Sequence, residues 1–192
     1  LHPILHSFPT RRSSDLTQKP NLVNLEEALL EFPMDTSVRH TLFKIVKTIV
    51  HDAGNEKHGC TLVIDLTPEP VTLSGQPLEH PMDLQKKRLL NLANALAKLD
   101  GALHLREDLH LHGFACLLHG NAMPGEDRAR GARFNSALRF SAEHPQVIVV
   151  VVSSDKPVSI IQEGVELSAQ CEWESFSKLI QPSPSLAEWI VS

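Results

Sequence analysis

Arg130-Gly131-Ala132-Arg133-Phe134-Asn135-Ser136-Ala137-Leu138-Arg139-Phe140, followed closely by Val147-Ile148-Val149-Val150-Val151-Val152 and Ser153-Ser154-Asp155, is the stretch that decides the fold. A nearly unbroken run of valine marks a strand covered on both faces, because a strand with one wet face alternates apolar and polar residues. The segment before it predicts a helix from about Gly131 to Glu143. A helix leading into a doubly covered strand places the chain in the α/β class.

Working outward, Asn24 to Glu31 and Thr36 to His51 predict helices, with Asn24 and Thr36 or Ser37 as N-caps and Leu42, Ile45, Val46, Ile49 and Val50 at helical spacing. His58 to Asp65 is a β-branched run after a glycine and predicts the first strand. The Pro- and Gly-containing stretch from Pro68 to Pro81 reads as a loop or edge excursion, and Asp83 as the opening of a helix to Lys98 with Leu84, Leu89, Leu90, Leu92, Ala93, Leu96 and Ala97 as its buried stripe. Ala102 to Arg106 and Leu109 to Leu118 predict a hairpin, Asn121 to Asp127 a surface loop, and Val158 to Ile161 a further strand. The expected architecture is a central mixed β-sheet flanked by helices on both faces.

A chain of 192 residues with 42% hydrophobic content suffices for one domain with a two-sided core. The net charge of -5 argues against a protein that coats nucleic acid through bulk electrostatics, so any polyanion site is expected to be local. Cys60, Cys116 and Cys171 are odd in number and widely separated, which fits a reducing cytoplasm better than a disulfide framework or a CxxC metal site. The longest apolar run, Val147 to Val152, is far short of the roughly 20 residues of a membrane-spanning helix, so no membrane contact is expected.

Residues 1–16 read as the translation of a sequencing adapter, without hydrophobic period, and are expected to be disordered, with native upstream sequence missing. Residues 17–55 are expected to form N-terminal helices packing on the domain of residues 56–167, and residues 168–192, with Trp173 and Trp189, a tail of unknown role.

Three segments have residues suited to phosphate chemistry. Asp100 in Leu99-Asp100-Gly101-Ala102 sits between a helix and a strand, where a carboxylate can hold Mg²⁺ or Mn²⁺ against substrate phosphates, or where Gly101 is simply a helix stop beside a solvated acid. Arg130, Gly131, Ala132 and Arg133 enter a helix whose free N–H groups favour an anion, with Asn135 and Ser136 adding polar groups; the alternative is a solvent-facing amphipathic helix. Ser153-Ser154-Asp155 follows the valine strand, where ligands of open α/β sheets gather, or forms a plain polar turn. His104, His110, His112 and His119 lack the partners of a zinc set.

In their order and spacing these segments resemble the diadenylate cyclase (DAC) domain, the resemblance running from about Leu42 to Gly164. That family has a DGA motif with a metal-binding aspartate, then a GTRHR motif that holds phosphates, then a strand ending in a Ser-Glu-Glu type turn. Here the DGA is intact, and Gly131, Ala132, Arg133, Phe134 and Asn135 stand at the second motif, keeping its glycine and first arginine. Ser153 matches the third motif, with Ser154 and Asp155 where acids are usual, and His58 to Ile64 resembles the opening strand. One branch of the family reads much like RGARxNSA.

The resemblance implies condensation of two ATP into cyclic di-AMP and two pyrophosphates, dependent on Mg²⁺ or Mn²⁺, across a face-to-face homodimer and with no direct nucleic-acid binding. It implies Asp100 as metal ligand, Asp100 and Arg133 as catalytic residues, and substrate contacts at Gly101, Ala102, Leu118, Arg130, Gly131, Ala132, Phe134, Asn135, Ser136, Ser153, Ser154 and Asp155. A catalytically inactive module that senses ATP or cyclic di-AMP and regulates a partner is the alternative, supported by Phe134 and Asn135.

Overall fold

The computed structural model of the chain describes residues 22–123, 126–154 and 156–167. The adapter-like residues 1–16 and the whole tail from Ser168 onward lie outside the described residues. In chain order the elements are α1 (Val23–Leu30), α2 (Thr36–Asn55), β1 (Cys60–Asp65), β2 (Ser74–Asp83), α3 (Lys87–Leu96), β3 (Ala102–Arg106), β4 (His110–Leu117), α4 (Ala132–Glu143), β5 (Val147–Val152), β6 (Ser159–Gln162) and β7 (Val165–Glu166). Among the described residues the strands form one mixed sheet in the order β2-β4-β3-β1-β5-β6-β7.

The valine strand is central, and every residue of β5 and of its neighbour β1 is buried. Its side chains alternate between two cores. Ile148, Val150 and Val152 join Leu62, Ile64, Leu103 and Leu105 under α1, α2 and α3. Val147, Val149 and Val151 join Val63, Ala102, Cys116, Phe134, Ala137 and Phe140 beneath α4. Helices therefore cover both faces, and each face of β5 contributes apolar area at about 25 cal/mol per Å² removed from water.

Residues 74–83, expected within a loop or edge excursion, form the edge strand β2, which carries Pro77 and Pro81 because it is the rim of the sheet, and its register against β4 shifts between Pro77 and Met82. Four other local expectations need correction. The helix expected from Asp83 begins at Lys87, because the Asp83 carboxylate accepts from the Gln85 N–H at 3.0 Å and forms a turn instead. Within its expected stripe Leu92 is exposed, while Leu84, Ala93 and Ala97 are buried. The cap of α2 is Asp35, which accepts from Ser37 N at 2.7 Å, and Asn24 caps nothing, its amide donating instead to the carbonyl of Leu167.

Candidate functional site

Strand direction decides which residues meet. β3 runs parallel to β1 and β5 antiparallel to it, so the starts of β1 and β3 lie beside the end of β5. Asp100 before β3, Gly59 before β1 and Ser153 after β5 therefore share one end of the sheet. β4 is antiparallel to β3 and brings the half-buried Leu118 to the same end. The short link from α4 to β5 returns the start of α4, and with it Arg133, to that end.

Arg133 Nη2 lies 3.4 Å from Asp100 Oδ1, with 96% of the Asp100 side chain and 48% of that of Arg133 exposed. The other terminal nitrogen, Nη1, lies against Gly59. Gly131 precedes α4 at φ +90° and makes no side-chain cap, which leaves first-turn N–H groups of α4 open to an anion. Ala132 is exposed on the same first turn, whereas Ala102 is buried in the core below. A Cβ on Gly101, at φ +103°, would stand 2.5 Å from the Ala115 carbonyl carbon, so its missing side chain admits the neighbouring strand.

Four of the remaining expected substrate contacts, Arg130, Phe134, Asn135 and Ser136, make contacts within the fold. Arg130 donates to Glu166 at 2.7 and 2.9 Å and to Ser159 Oγ at 3.1 Å, and its guanidinium stacks 3.8 Å from the ring centroid of Phe134. That contact with Glu166 raises the Arg130 pKa; burial pushes Glu166 upward, but the bonds from Arg130 and Ser159 outweigh it and hold the carboxyl below its ordinary value. Phe134 and Asn135 are buried, and the Asn135 amide donates to the Asp127 carbonyl at 3.0 Å. Ser136 Oγ donates to the Arg133 carbonyl at 3.0 Å. Ser153 is half-buried, Ser154 exposed, and Asp155 lies outside the described residues. Glu166 and Ser159 escaped sequence reasoning because no motif marks the partners of an arginine 29 to 36 residues away.

A second polar cluster occupies the opposite end of β1 and β3. The fully buried Asp65 accepts from Thr67 N at 3.0 Å, Thr67 Oγ1 at 2.5 Å and Val71 N at 2.9 Å, and pairs with His104 Nε2 at 3.0 Å and Arg106 Nε at 3.3 Å. Burial raises its pKa, but the bonds from His104, Thr67 and Val71 prevail and hold it well below the usual carboxylate range. An acid closing the otherwise apolar Leu62-Val63-Ile64 was the available signal. His112 pairs with Asp108 at 2.8 Å, and its ring stands 5.9 Å from that of His104. Cys60 is buried, and its thiol is pushed up to about 12 although Arg133 acts to lower it.

Among the described residues no three His, Cys, Asp or Glu side chains gather to hold a metal ion. Asp100 is a single, open carboxylate. Such a donor suits Mg²⁺ or Mn²⁺ shared with phosphate oxygens and water, and does not suit a closed zinc site.

Residues 47–166 match a family model described as DAC, the nucleotide-binding domain of the DisA bacterial checkpoint controller. The class is thus an α/β nucleotide-binding domain. The chain belongs to the DAC family. A search of curated proteins finds no match. Among solved structures the fold is similar to that of a hypothetical membrane-spanning protein from Bacillus cereus, with a TM-score of 0.54 at 19% identity over 65% of this chain and 62% of that one, less than two thirds of its length. It is also similar to a double cysteine mutant of DacA from Staphylococcus aureus, with a TM-score of 0.53 at 18% identity over 74% of this chain and 97% of that one. At these identities the likeness is one of fold. No helix among the described residues is long and apolar enough to cross a membrane.

Proposed function

We propose that the chain is a diadenylate cyclase, condensing two ATP into cyclic di-AMP with release of two pyrophosphates, at a face-to-face dimer in which each protomer presents one ATP. Membership of the DAC family supports the nucleotide, and one observation carries the assignment of the site. Asp100 and Arg133, 33 residues apart in sequence, converge beside the uncapped start of α4.

Each of the two identical steps joins the ribose 3′-oxygen of one ATP to the α-phosphorus of the other, breaks the bond to pyrophosphate and releases the hydroxyl proton. Arg133 and the first-turn N–H groups of α4 orient the triphosphate and offset the charge growing on the leaving pyrophosphate. Asp100 would hold Mg²⁺ or Mn²⁺, which when bound polarises the α-phosphate and eases loss of the hydroxyl proton. The Asp100 contact with Arg133 is then exchanged for contacts to the substrate, at little cost because both groups are open to water.

A second reading, an inactive sensor of ATP or cyclic di-AMP that regulates a partner, is favoured by the burial of Phe134 and Asn135, which leaves Arg133 as the exposed guanidinium of its motif. Incubation of the purified protein with ATP and Mn²⁺, followed by mass spectrometry, separates the two. Accumulating cyclic di-AMP supports the cyclase; nucleotide binding without product supports the sensor; neither binding nor product rejects both.

A further inference from the structure

The bare Cα of Gly59 is where the Arg133 guanidinium rests. A methyl group on Gly59 would stand 2.7 Å from Arg133 Nη1, 3.6 Å from its Cζ and 3.1 Å from the Val152 carbonyl oxygen. Arg133 thus lies across the entrance of β1, one terminal nitrogen against Gly59 and the other 3.4 Å from Asp100. No positive φ demands glycine at this position, in contrast to Gly101 and Gly131. What the position requires is the absence of a side chain.

We infer that Gly59 is a positioning residue for nucleotide binding: it sets where the Arg133 guanidinium lies relative to Asp100, and so where a triphosphate is gripped. The inference rests on the reading of Arg133 as a triphosphate contact. A Cβ at Gly59 collides at 2.7 Å with the flexible end of Arg133 and presses more lightly, at 3.1 Å, on the Val152 carbonyl oxygen, so the backbone gives by a few tenths of an ångström while the guanidinium is driven off its seat. Displacing a bidentate clamp by about 1 Å costs on the order of tenfold to a hundredfold in a bound, oriented substrate.

The test is calorimetric binding of ATP with Mn²⁺ to the wild type, Gly59→Ala, Arg133→Ala and the double variant, alongside their thermal midpoints. The expected result is that Gly59→Ala weakens ATP about tenfold while the protein stays folded with a melting midpoint lowered by no more than a few degrees, and that the affinity penalty vanishes when Arg133 is already alanine. Wild-type affinity in Gly59→Ala overturns the inference. So does a penalty in ATP affinity of equal size with and without Arg133, since that makes Gly59 merely structural. If Arg133→Ala binds ATP as tightly as the wild type, the functional reading itself fails, and the inference falls with it in a recognisably different way.

Discussion

Glu166 holds both terminal nitrogens of Arg130, at 2.7 and 2.9 Å, and so fastens the approach to α4 onto the last strand of the sheet. Of the two arginines flanking Gly131, Arg130 is a fastening and Arg133 is the one left open. Replacing Glu166 by alanine frees Arg130 and loosens the start of α4. The pair is partly exposed, so the expected loss is about 1 kcal/mol. That corresponds to roughly 2–4 °C in thermal midpoint for a chain of this size. Adding Arg130→Ala should cost little more, a coupling that a double-mutant cycle of melting midpoints measures.

Asp100→Asn is expected to abolish cyclic di-AMP formation in the mass-spectrometric assay while leaving the melting curve in place. The side chain is almost wholly exposed, and surface changes of this kind alter stability by no more than about 0.5 kcal/mol. Undiminished product from this variant would remove Asp100 from the reaction.

Asp65 predicts the acid limb of the stability curve. Its carboxyl is held low in the folded state, so its contribution is complete above the unfolded aspartate pKa of about 4 and is lost as pH falls towards the folded value. Urea midpoints should therefore decline as pH falls below about 5. Asp65→Asn, which sets an amide among donors, is expected to cost about 3 kcal/mol at neutral pH and to flatten that decline. A variant as acid-sensitive as the wild type would assign the limb to other groups.

Gly101→Ala and Gly131→Ala should differ in severity. Both residues have positive φ, but a Cβ on Gly131 meets open space, whereas one on Gly101 drives into the backbone at Ala115. Backbone strain alone costs about 1–3 kcal/mol, and Gly101→Ala adds a collision that only strand movement relieves. Urea midpoints are expected to fall further for Gly101→Ala, with Asp100 displaced and ATP binding weakened.

Much of the fold was legible in the chain. Val147–Val152 and Ala102–Arg106 read as strands with the limits they have in the structure, because runs of apolar residues between turns follow local rules. The edge strand β2 read only as a loop or edge excursion, since Pro77 and Pro81 argue against a central strand and the sheet order is needed to show a strand at the rim. Within the site, Asp100 and Arg133 were visible as motif residues. The engagement of Arg130 by Glu166, and of Asn135 by Asp127, was not, because those partners lie on elements that only folding brings near.

By itself the sequence determined the α/β class, the doubly covered central strand and the segments suited to phosphate, because apolar period, glycine position and residue chemistry are local properties of the chain. Only the tertiary structure decided which ends of the strands coincide. β5 pairs antiparallel to β1 while β3 pairs parallel, and that choice sets Gly59, Asp100, Ser153 and Arg133 at one end of the sheet and Asp65, His104 and Arg106 at the other. Pairing direction depends on how distant segments bury their two faces together, which no single stretch of residues encodes.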